Sequence, residues 1–265
     1  MKGLSLLHFL RKAPYFIEVF KGKRAKWITR VIHFKIFDIK PFLAAMWRIP
    51  FLRNSFLKID WECRERVLEY PWLYRCLNSL PDKARILDIG CAESPLVFEL
   101  ASMGYDVIGL DLRDYPLTHP NLQFVIGNIF WLPFLSASFD FVSAISTVEH
   151  LGIPTWGIPS YSESDADGIN EIHRCLKPGG LLFLTVPFGI RNVTWQRIYD
   201  YETLQELIPQ YEVVISKYYK RIEKKYWMEA EREELEKIAS TLESGVNGVA
   251  IYLCRKLQNP KESTR

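Results

Sequence analysis

The feature that most constrains the fold is an apolar run at residues 85–90, Arg-Ile-Leu-Asp-Ile-Gly, which ends at a glycine. Such a run predicts a buried strand that stops at a tight turn. Residues 96–101 then have helical apolar spacing, with Ser94 expected as N-cap and Pro95 as the first helical residue. The predicted order is strand, turn and helix, against which a nucleotide can bind.

Strand and helix predictions continue to alternate along the chain. A polar, proline-containing connection at 113–121 stands where a longer helix is often found, so only a turn or a short helix is expected there. The alternation predicts an α/β fold with a mostly parallel, seven-stranded sheet, helices on both faces, and ligands at the carboxyl ends of the strands. The expected strands are 85–89, 107–110, 122–126, 139–145, 181–186, 211–219 and 248–254, and the expected helices are 61–80 (interrupted near Pro71), 96–101, 165–176, 201–207 and 229–240.

Charge divides the chain near residue 58. Residues 1–58 hold 13 Lys and Arg against two acidic residues, a balance of +11, whereas the rest holds 21 against 29, a balance of −8. We therefore divide the chain into a basic, aromatic-rich extension (1–58), a main domain (59–257) and a polar tail (258–265). The favoured interpretation of the extension is a helical cap whose aromatic side chains pack on the main domain. Docking on an anionic membrane surface or on nucleic acid is the alternative.

Cysteine usage and the length of the apolar runs bear on location. The five cysteines lack a Cys-x-x-Cys pair, which argues against a zinc site or a disulfide framework and indicates a reducing cytoplasm. The apolar stretches at 4–10 and 42–52 are too short for a membrane-spanning helix, and no small-residue cleavage site follows the first. The expected location is cytoplasmic, with peripheral attachment to a membrane as a further option.

Three more motifs accompany the first turn. Asp111 ends the second strand, Gly-Asn at 127–128 is followed by Leu-Pro-Phe at 132–134, and Leu-Lys-Pro-Gly-Gly at 176–180 precedes the fifth strand. Together these motifs resemble the class I S-adenosylmethionine-dependent methyltransferases, of the type 11 group. The resemblance implies a Rossmann-like sheet and S-adenosyl-L-methionine as cofactor.

The resemblance covers roughly residues 60–256 and leaves the basic extension unexplained. Within the superfamily, the segments 61–66, 69–72, 146–150 and 197–200 look like uncharacterised members from prokaryotic glycan and cell-surface loci. This finer resemblance implies a small-molecule, glycan or lipid-linked acceptor.

The resemblance assigns the cofactor contacts to the turns after the strands. Asp111 is expected to accept hydrogen bonds from both ribose hydroxyls, and the Asn128 side-chain oxygen to accept one from the adenine amino group. Leu112 and Ile129 are expected to enclose the adenine, although ordinary core packing is open to both. The other expected cofactor contacts are Asp88, Gly90, Cys91, Ala92, Ser94 and Ser146. For Asp88, a structural role in the turn is equally compatible.

The segment 146–150, Ser-Thr-Val-Glu-His, follows the fourth strand, where the methyl group meets its acceptor in this family. His150 is suited to act as general base for a hydroxyl acceptor, and Glu149 to orient it or to contact the cofactor. A loop-stabilising role for the pair is equally open. Some relatives bind a divalent metal here through Glu-x-x-Glu-His; because Ser146 replaces the first glutamate, no metal is predicted.

Two segments are expected to build the acceptor pocket. The loop 152–168 carries Trp156 and Tyr161 together with several acids, which suit a sugar or an amine. The segment after the fifth strand carries Arg191 and Arg197, which suit a phosphate or a carboxylate unless either pairs with an acid of the preceding loop. The acids of that loop disfavour a nucleic-acid acceptor without excluding it.

Two other functions fit parts of the pattern. A non-catalytic S-adenosylmethionine-binding module would act through a membrane or protein partner of the basic extension. An NAD-dependent reductase also uses an acid at the position of Asp111, but the chain lacks both the full Gly-x-Gly-x-x-Gly spacing and a catalytic Tyr-x-x-x-Lys. Methyl transfer to an oxygen or nitrogen atom is therefore the favoured function.

Overall fold

The computed structural model describes residues 64–154 and 162–257. The predicted basic extension at 1–58 and the polar tail at 258–265 lie outside the described residues, as do Trp156 and Tyr161. The boundaries drawn at residues 58 and 257 therefore remain predictions.

One eight-stranded sheet organises the described residues, with strand order β3-β2-β1-β4-β5-β10-β8-β9. The first five strands in this order run parallel, whereas β10 runs antiparallel to both β5 and β8. The strands are β1 (Arg85–Ile89), β2 (Asp106–Asp111), β3 (Leu122–Ile126), β4 (Phe139–Ile145), β5 (Leu176–Pro187), β8 (Tyr211–Ile222), β9 (Tyr226–Glu229) and β10 (Gly248–Lys256). A separate short pair consists of β6 (Asn192–Val193) and β7 (Arg197–Ile198).

Helices cover both faces of the sheet, which confirms the predicted α/β architecture. The helices are α1 (Arg66–Leu77), α2 (Leu96–Ser102), α3 (Asp165–Cys175), α4 (Tyr201–Leu207) and α5 (Arg232–Leu235). Apolar residues of α1 and α2 pack with Ile86 and Phe141 in one core cluster. Those of α3 and α4 pack with Leu87 and Val142 in the other. Neighbouring residues of one strand thus face opposite layers, as the two-residue period of a strand requires.

No helix joins β2 to β3, as the polar composition of this connection predicted. In place of a helix, the side chain of Tyr115 packs against β3. It is 7% exposed, and its ring stacks on Phe124 at a centroid distance of 5.5 Å. The Tyr115 hydroxyl donates to the Ser94 carbonyl oxygen at 2.9 Å. One aromatic side chain therefore links the β2–β3 connection to the turn after β1.

Helix α1 runs through Pro71 without the predicted interruption. Proline cannot donate to the carbonyl four residues earlier, so the helix lacks that bond, but its apolar face still packs. Leu73 and Leu77 are buried in the core, while Pro71 lies on the exposed side. Burial of one helix face thus outweighs the local proline signal.

The predicted helix at 229–240 is only one turn long, and the stretch before it forms the additional strand β9. Beyond α5, the backbone turns towards a different partner, because the Ile190 N–H donates to the Ile238 carbonyl oxygen at 2.9 Å. Leu235 of this single turn is fully buried. Tertiary backbone pairing therefore replaces the helical bonds that the charge-rich pattern favoured.

Four cysteines, Cys76, Cys91, Cys175 and Cys254, fall in the described ranges, and all are buried free thiols. They serve as small apolar core residues there. Among the helices of these ranges, none combines the length and apolar character that crossing a membrane requires.

Candidate active site

The turns after β1 and β4 meet where the strand order of the sheet reverses. Gly90 has φ +79°, and a Cβ atom at this position would overlap the side chain of Thr147. The Thr147 hydroxyl donates to the Ile89 carbonyl oxygen at 3.2 Å. Glycine is thus required both for the backbone conformation and for the close approach of the two turns. In parallel sheets, the crevice at such a reversal point is the usual ligand site.

Asp111 connects the end of β2 to the turn after β1. One carboxylate oxygen accepts the Ala92 N–H at 2.9 Å, and the other accepts the Arg113 N–H at 3.0 Å and its Nε–H at 3.3 Å. Arg113 also pairs with Glu93 through Nη1 and Oε1 at 2.5 Å. Asp111 is 8% exposed, so its charge is held largely within the protein by these donors.

Asp88 lies inside the sheet below the first turn and is 2% exposed. The Ser143 hydroxyl donates to its carboxylate at 2.6 Å. Burial raises the pKa of Asp88 to about 7, although the serine hydrogen bond opposes the shift. The position fits the proposed contribution to ordering the turn.

The remaining residues of the first turn divide between backbone and side-chain roles. The Ser94 hydroxyl accepts the Leu96 N–H at 3.0 Å and is 2.6 Å from the Tyr70 hydroxyl. Ser94 therefore caps α2 with its side chain, two residues before the first residue of the helix. The Cys91 side chain is buried in the core, which leaves its backbone for any ligand contact.

The three residues expected at the adenine lie around the ends of β2 and β3. Asn128 is half-buried, and its Oδ1 accepts the Phe130 N–H at 3.1 Å, which leaves a second lone pair on that oxygen. Leu112 is 42% exposed, whereas Ile129 is 5% exposed and belongs to the core. The contacts of these three residues with adenine remain predictions. For Ile129, the alternative of ordinary core packing also remains open.

Glu149 and His150 form a short 3₁₀ helix, Val148–His150, after β4. The Glu149 side chain is fully buried, and its Oε2 has no hydrogen-bond partner among the described residues. His150 Nε2 lies 4.0 Å from Glu149 Oε1, and its Nδ1 is likewise buried without a partner there. Burial raises the pKa of Glu149 to about 8 and lowers the pKa of His150. Both groups are thereby shifted towards their neutral forms.

Glu69 of α1 is a site residue that the sequence did not indicate. It is fully buried, and its Oε1 accepts the hydroxyls of Ser146 at 2.7 Å and Thr185 at 2.5 Å. Arg66 donates to its Oε2 at 2.5 Å. The two hydroxyl partners, Ser146 directly after β4 and Thr185 in β5, lie far from Glu69 in sequence. No spacing rule could have connected them.

The two arginines expected at the acceptor differ in their surroundings. Arg197 lies 3.5 Å from Asp165, between Nε and Oδ2, and also donates to the Leu151 carbonyl oxygen. The Tyr199 hydroxyl donates to the same Asp165 oxygen at 2.7 Å. Arg197 therefore follows the alternative left open by the sequence, pairing with an acid of the preceding loop. Arg191 is exposed.

A family model described as "Methyltransferase domain" matches residues 87–184. This range begins in β1, contains both meeting turns and ends in β5. The chain contains a class I S-adenosylmethionine-dependent methyltransferase domain. Its reversed strand β10 and strand order agree with that fold.

The chain is also similar to curated methyltransferases. The chain is 31% identical over 121 residues to demethylmenaquinone methyltransferase of Chlorobaculum tepidum, covering 43% of this chain and 46% of the relative. It is 30% identical over 135 residues to sterol 24-C-methyltransferase of Gibberella zeae, covering 46% and 31%. The chain thus spans less than half the length of these curated relatives.

Among solved structures, the fold is similar to 1,6-didemethyltoxoflavin-N1-methyltransferase of Burkholderia thailandensis. The TM-score is 0.53 at 17% identity, covering 82% of this chain and 89% of the other. At this identity the similarity concerns the fold alone. The acceptors named for these relatives differ from one another, so none of them identifies the acceptor of this methyltransferase domain.

The residues present fit S-adenosylmethionine, the cofactor of this family. Asp111 offers carboxylate oxygens at the end of β2, suited to a ribose diol. Asp88 and Glu149 are buried acids beside the two meeting turns, and Glu149 Oε2, which has no partner among the described residues, could form a hydrogen bond with the ligand. Within 64–154 and 162–257, no cluster of three or more His, Cys, Asp or Glu is arranged to hold a metal ion.

Proposed function

We propose that the chain is a methyltransferase that transfers a methyl group from S-adenosylmethionine to an oxygen or nitrogen atom of its acceptor. The observation that carries this proposal is the turn after β4, where a neutral imidazole lies beside a buried carboxyl group. No group of the described residues bonds Nδ1 of His150, and burial lowers the pKa of this side chain. A neutral imidazole can accept a proton from a hydroxyl or an ammonium group.

The cofactor, when bound, supplies a methyl group on a sulfonium that is already activated for transfer. We propose that Asp111 holds the ribose hydroxyls and that Asn128 accepts from the adenine amino group. The close approach of Gly90 to Thr147 supports placing the methionine end at the reversal point of the sheet. Most of the acceleration would come from orientation and exclusion of water.

Glu149 is proposed to assist His150. A protonated carboxyl group in this position leaves the imidazole neutral. Once His150 has accepted the proton of the acceptor, release of the Glu149 proton to solvent would leave a carboxylate that stabilises the imidazolium. The separation of 4.0 Å between the two side chains is short enough for this electrostatic coupling. His150 would thus remove the acceptor proton while Glu149 balances the resulting charge.

The acceptor is proposed to be a small molecule, a glycan or a lipid-linked intermediate. Ion pairing of Arg197 with Asp165 leaves Arg191 as the exposed arginine of the predicted acceptor segment. We propose that Arg191, with Trp156 and Tyr161, contributes to recognising an acidic or sugar-containing group. The proposed location is cytoplasmic, with contact between the basic extension and an anionic membrane as the alternative to its packing on the main domain.

Isothermal titration tests the cofactor assignment. S-adenosylmethionine and S-adenosylhomocysteine should both bind the wild-type chain, and NADH should not. Asp111→Asn should weaken binding of both sulfur ligands by about 10- to 100-fold, because hydrogen bonds to a charged group contribute roughly 1.5–3 kcal/mol.

Asp106→Asn is the matched control, since Asp106 lies at the opposite end of the same strand and pairs with Arg85. It should leave both affinities within about twofold of wild type, which is less than 1 kcal/mol. Absence of binding to wild type, or equal losses in the two variants, would contradict the assignment of Asp111.

A further inference from the structure

Glu69 lies outside the part of the chain that the family model matches, yet its carboxylate contacts the turn after β4. It accepts two hydroxyls on one oxygen and a guanidinium on the other. A buried carboxylate with three donors is held firmly, because loss of any donor leaves charge uncompensated. Helix α1 therefore presents a fixed anchor to the carboxyl edge of the sheet.

Ser146 is the residue that this anchor holds. Its φ of +45° lies in the left-handed region, which is unfavourable for a residue other than glycine. Its hydroxyl donates to Glu69, and its N–H donates to the hydroxyl of Thr185 at 3.0 Å and to the Thr185 carbonyl oxygen at 3.2 Å. The same Thr185 hydroxyl donates to Glu69, so the three residues form a closed set of bonds.

Glu149 and His150 follow three and four residues after this unusual backbone conformation. A rotation at Ser146 would therefore move both side chains. The charged groups nearest Glu149 include Glu69, Arg66 and Glu65, and Tyr199 approaches from another element. Glu69 can thus influence the segment through its hydrogen bonds and through its charge.

We propose that Glu69 is a positioning residue that fixes Ser146 and Thr185 and thereby sets the orientation of Glu149 and His150. The catalytic meaning of this orientation rests on the proposed function. The positioning itself is a property of the folded chain and can be measured without an acceptor. It extends the working site into helix α1, which the family match does not include.

Hydrogen exchange and histidine titration test this role in the full-length chain. Glu69→Gln keeps the shape but removes the charge, and Thr185→Val removes the shared hydroxyl while leaving Glu69 in place. Both variants should speed exchange at the amides of Ser146, His150 and Leu151 by about 10-fold or more, as expected for loss of a charged hydrogen bond. The pKa of His150, followed by NMR with His150→Gln for assignment, should rise towards its ordinary value as the loop opens.

Glu99→Gln is the matched control. Glu99 also accepts a hydroxyl from α1, that of Tyr74, but it lies on α2 away from the turn after β4. This variant should leave exchange at residues 146–151 and the pKa of His150 unchanged. If Glu69 only held α1 in place, Glu69→Gln and Glu99→Gln would both lower the melting temperature. Neither variant would then change amide exchange at residues 146–151 or the pKa of His150.

Unchanged exchange and an unchanged His150 titration in both Glu69→Gln and Thr185→Val would overturn the proposal. If Glu69→Gln does not fold, Thr185→Val alone decides the question. Titration of the same samples with S-adenosylmethionine separates the positioning role of Glu69 from the proposed methyltransferase function. Local loosening in a chain that binds no cofactor would refute the proposed function and support the positioning role.

Discussion

Three buried acids near the carboxyl edge of the sheet differ in how their charge is compensated. Glu69 has three donors, Asp88 has the Ser143 hydroxyl, and Glu149 Oε2 has none among the described residues. Burial raises the pKa of Asp88 to about 7 and that of Glu149 to about 8. Burial therefore favours the protonated forms of Asp88 and Glu149.

Glu149 should make stability depend on pH. Its pKa is raised from 4.5 to about 8, so the folded chain binds this proton more tightly than the unfolded chain. The free energy of unfolding therefore decreases as the pH rises from about 5 to about 8. Glu149→Gln carries no titrating group, so its melting temperature should rise relative to wild type over this range. We expect a relative gain of about 5 °C or more, since about 1 kcal/mol corresponds to roughly 2–4 °C in a protein of this size.

Calorimetry at several pH values measures the difference in melting temperature between Glu149→Gln and wild type. Asp88 and the other titrating groups are present in both proteins, so their contributions cancel in this difference. Glu171→Gln is the control, because the hydrogen bond from Arg174 lowers the pKa of Glu171 and moves its titration below the window. Its difference from wild type should stay constant between pH 6 and 8. A constant difference for Glu149→Gln as well would contradict the buried, protonated state.

At the residue scale, sequence reasoning found positions that depend on a strand end and its adjoining turn. Asp111 and Gly90 belong to this group, since each follows directly from a short apolar run. Glu69 could not be found in this way, because its partners Ser146 and Thr185 lie 77 and 116 residues away. Its burial depends on the packing of α1, which the local sequence does not specify.

The connection between β2 and β3 depends on one aromatic side chain in place of a helix. Tyr115 packs in the core cluster that contains α2 and donates to the Ser94 carbonyl oxygen. Tyr115→Phe should lower the free energy of unfolding by about 1 kcal/mol, the usual contribution of a neutral hydrogen bond. Tyr115→Ala should lower it by about 3–5 kcal/mol, because a buried ring is lost and a cavity remains.

Urea denaturation of the two variants measures this effect. Tyr105→Phe is the control, since Tyr105 is a partly buried tyrosine of the same cluster for which the described residues provide no hydroxyl partner. It should change stability by less than about 0.5 kcal/mol. Equal effects of the phenylalanine and alanine substitutions at Tyr115 would show that the ring does not support this face.

At the element scale, the alternation of apolar strands and amphipathic helices was readable as far as β5. The elements after β5 were harder to predict. For example, β9 pairs through its backbone with β8 and carries the exposed side chains of Tyr226 and Met228. An edge strand of this kind lacks the buried face that produces a clear sequence pattern. Likewise, the Ile190–Ile238 backbone bond that limits α5 has no local signature.

At the scale of the whole molecule, the +11 balance of residues 1–58 stands against −8 in the rest. If the extension docks on an anionic membrane, the full chain should bind vesicles of phosphatidylcholine and phosphatidylserine, and not vesicles of phosphatidylcholine alone. Binding should weaken with added salt and disappear when residues 1–58 are deleted. Each lysine or arginine near an anionic surface contributes about 1 kcal/mol.

A full-length variant tests whether the positive charge of residues 1–58 causes vesicle binding, without deleting the extension. Replacing Lys21, Lys23, Arg24 and Lys26 by glutamine should weaken vesicle binding by about 100-fold or more. The control replaces four basic residues of the main domain by glutamine: Lys224, Lys225, Arg232 and Arg255. Co-sedimentation that is equal for both variants, or that persists after deletion of the extension, would show that net charge or another surface is responsible.

Helix α1 makes its bonds to residues that are synthesised much later. Its partners Ser94, Ser146, Thr185 and Tyr219 follow by 24, 77, 116 and 147 residues. Contacts of such long sequence separation slow folding, because the loops between them must close first. During translation, α1 therefore waits for β5 before Glu69 can meet Thr185, and for β8 before Trp72 can meet Tyr219. Helix α1 thus leaves the ribosome before the strands that it bonds, and it completes the turn after β4 only once β5 has been synthesised.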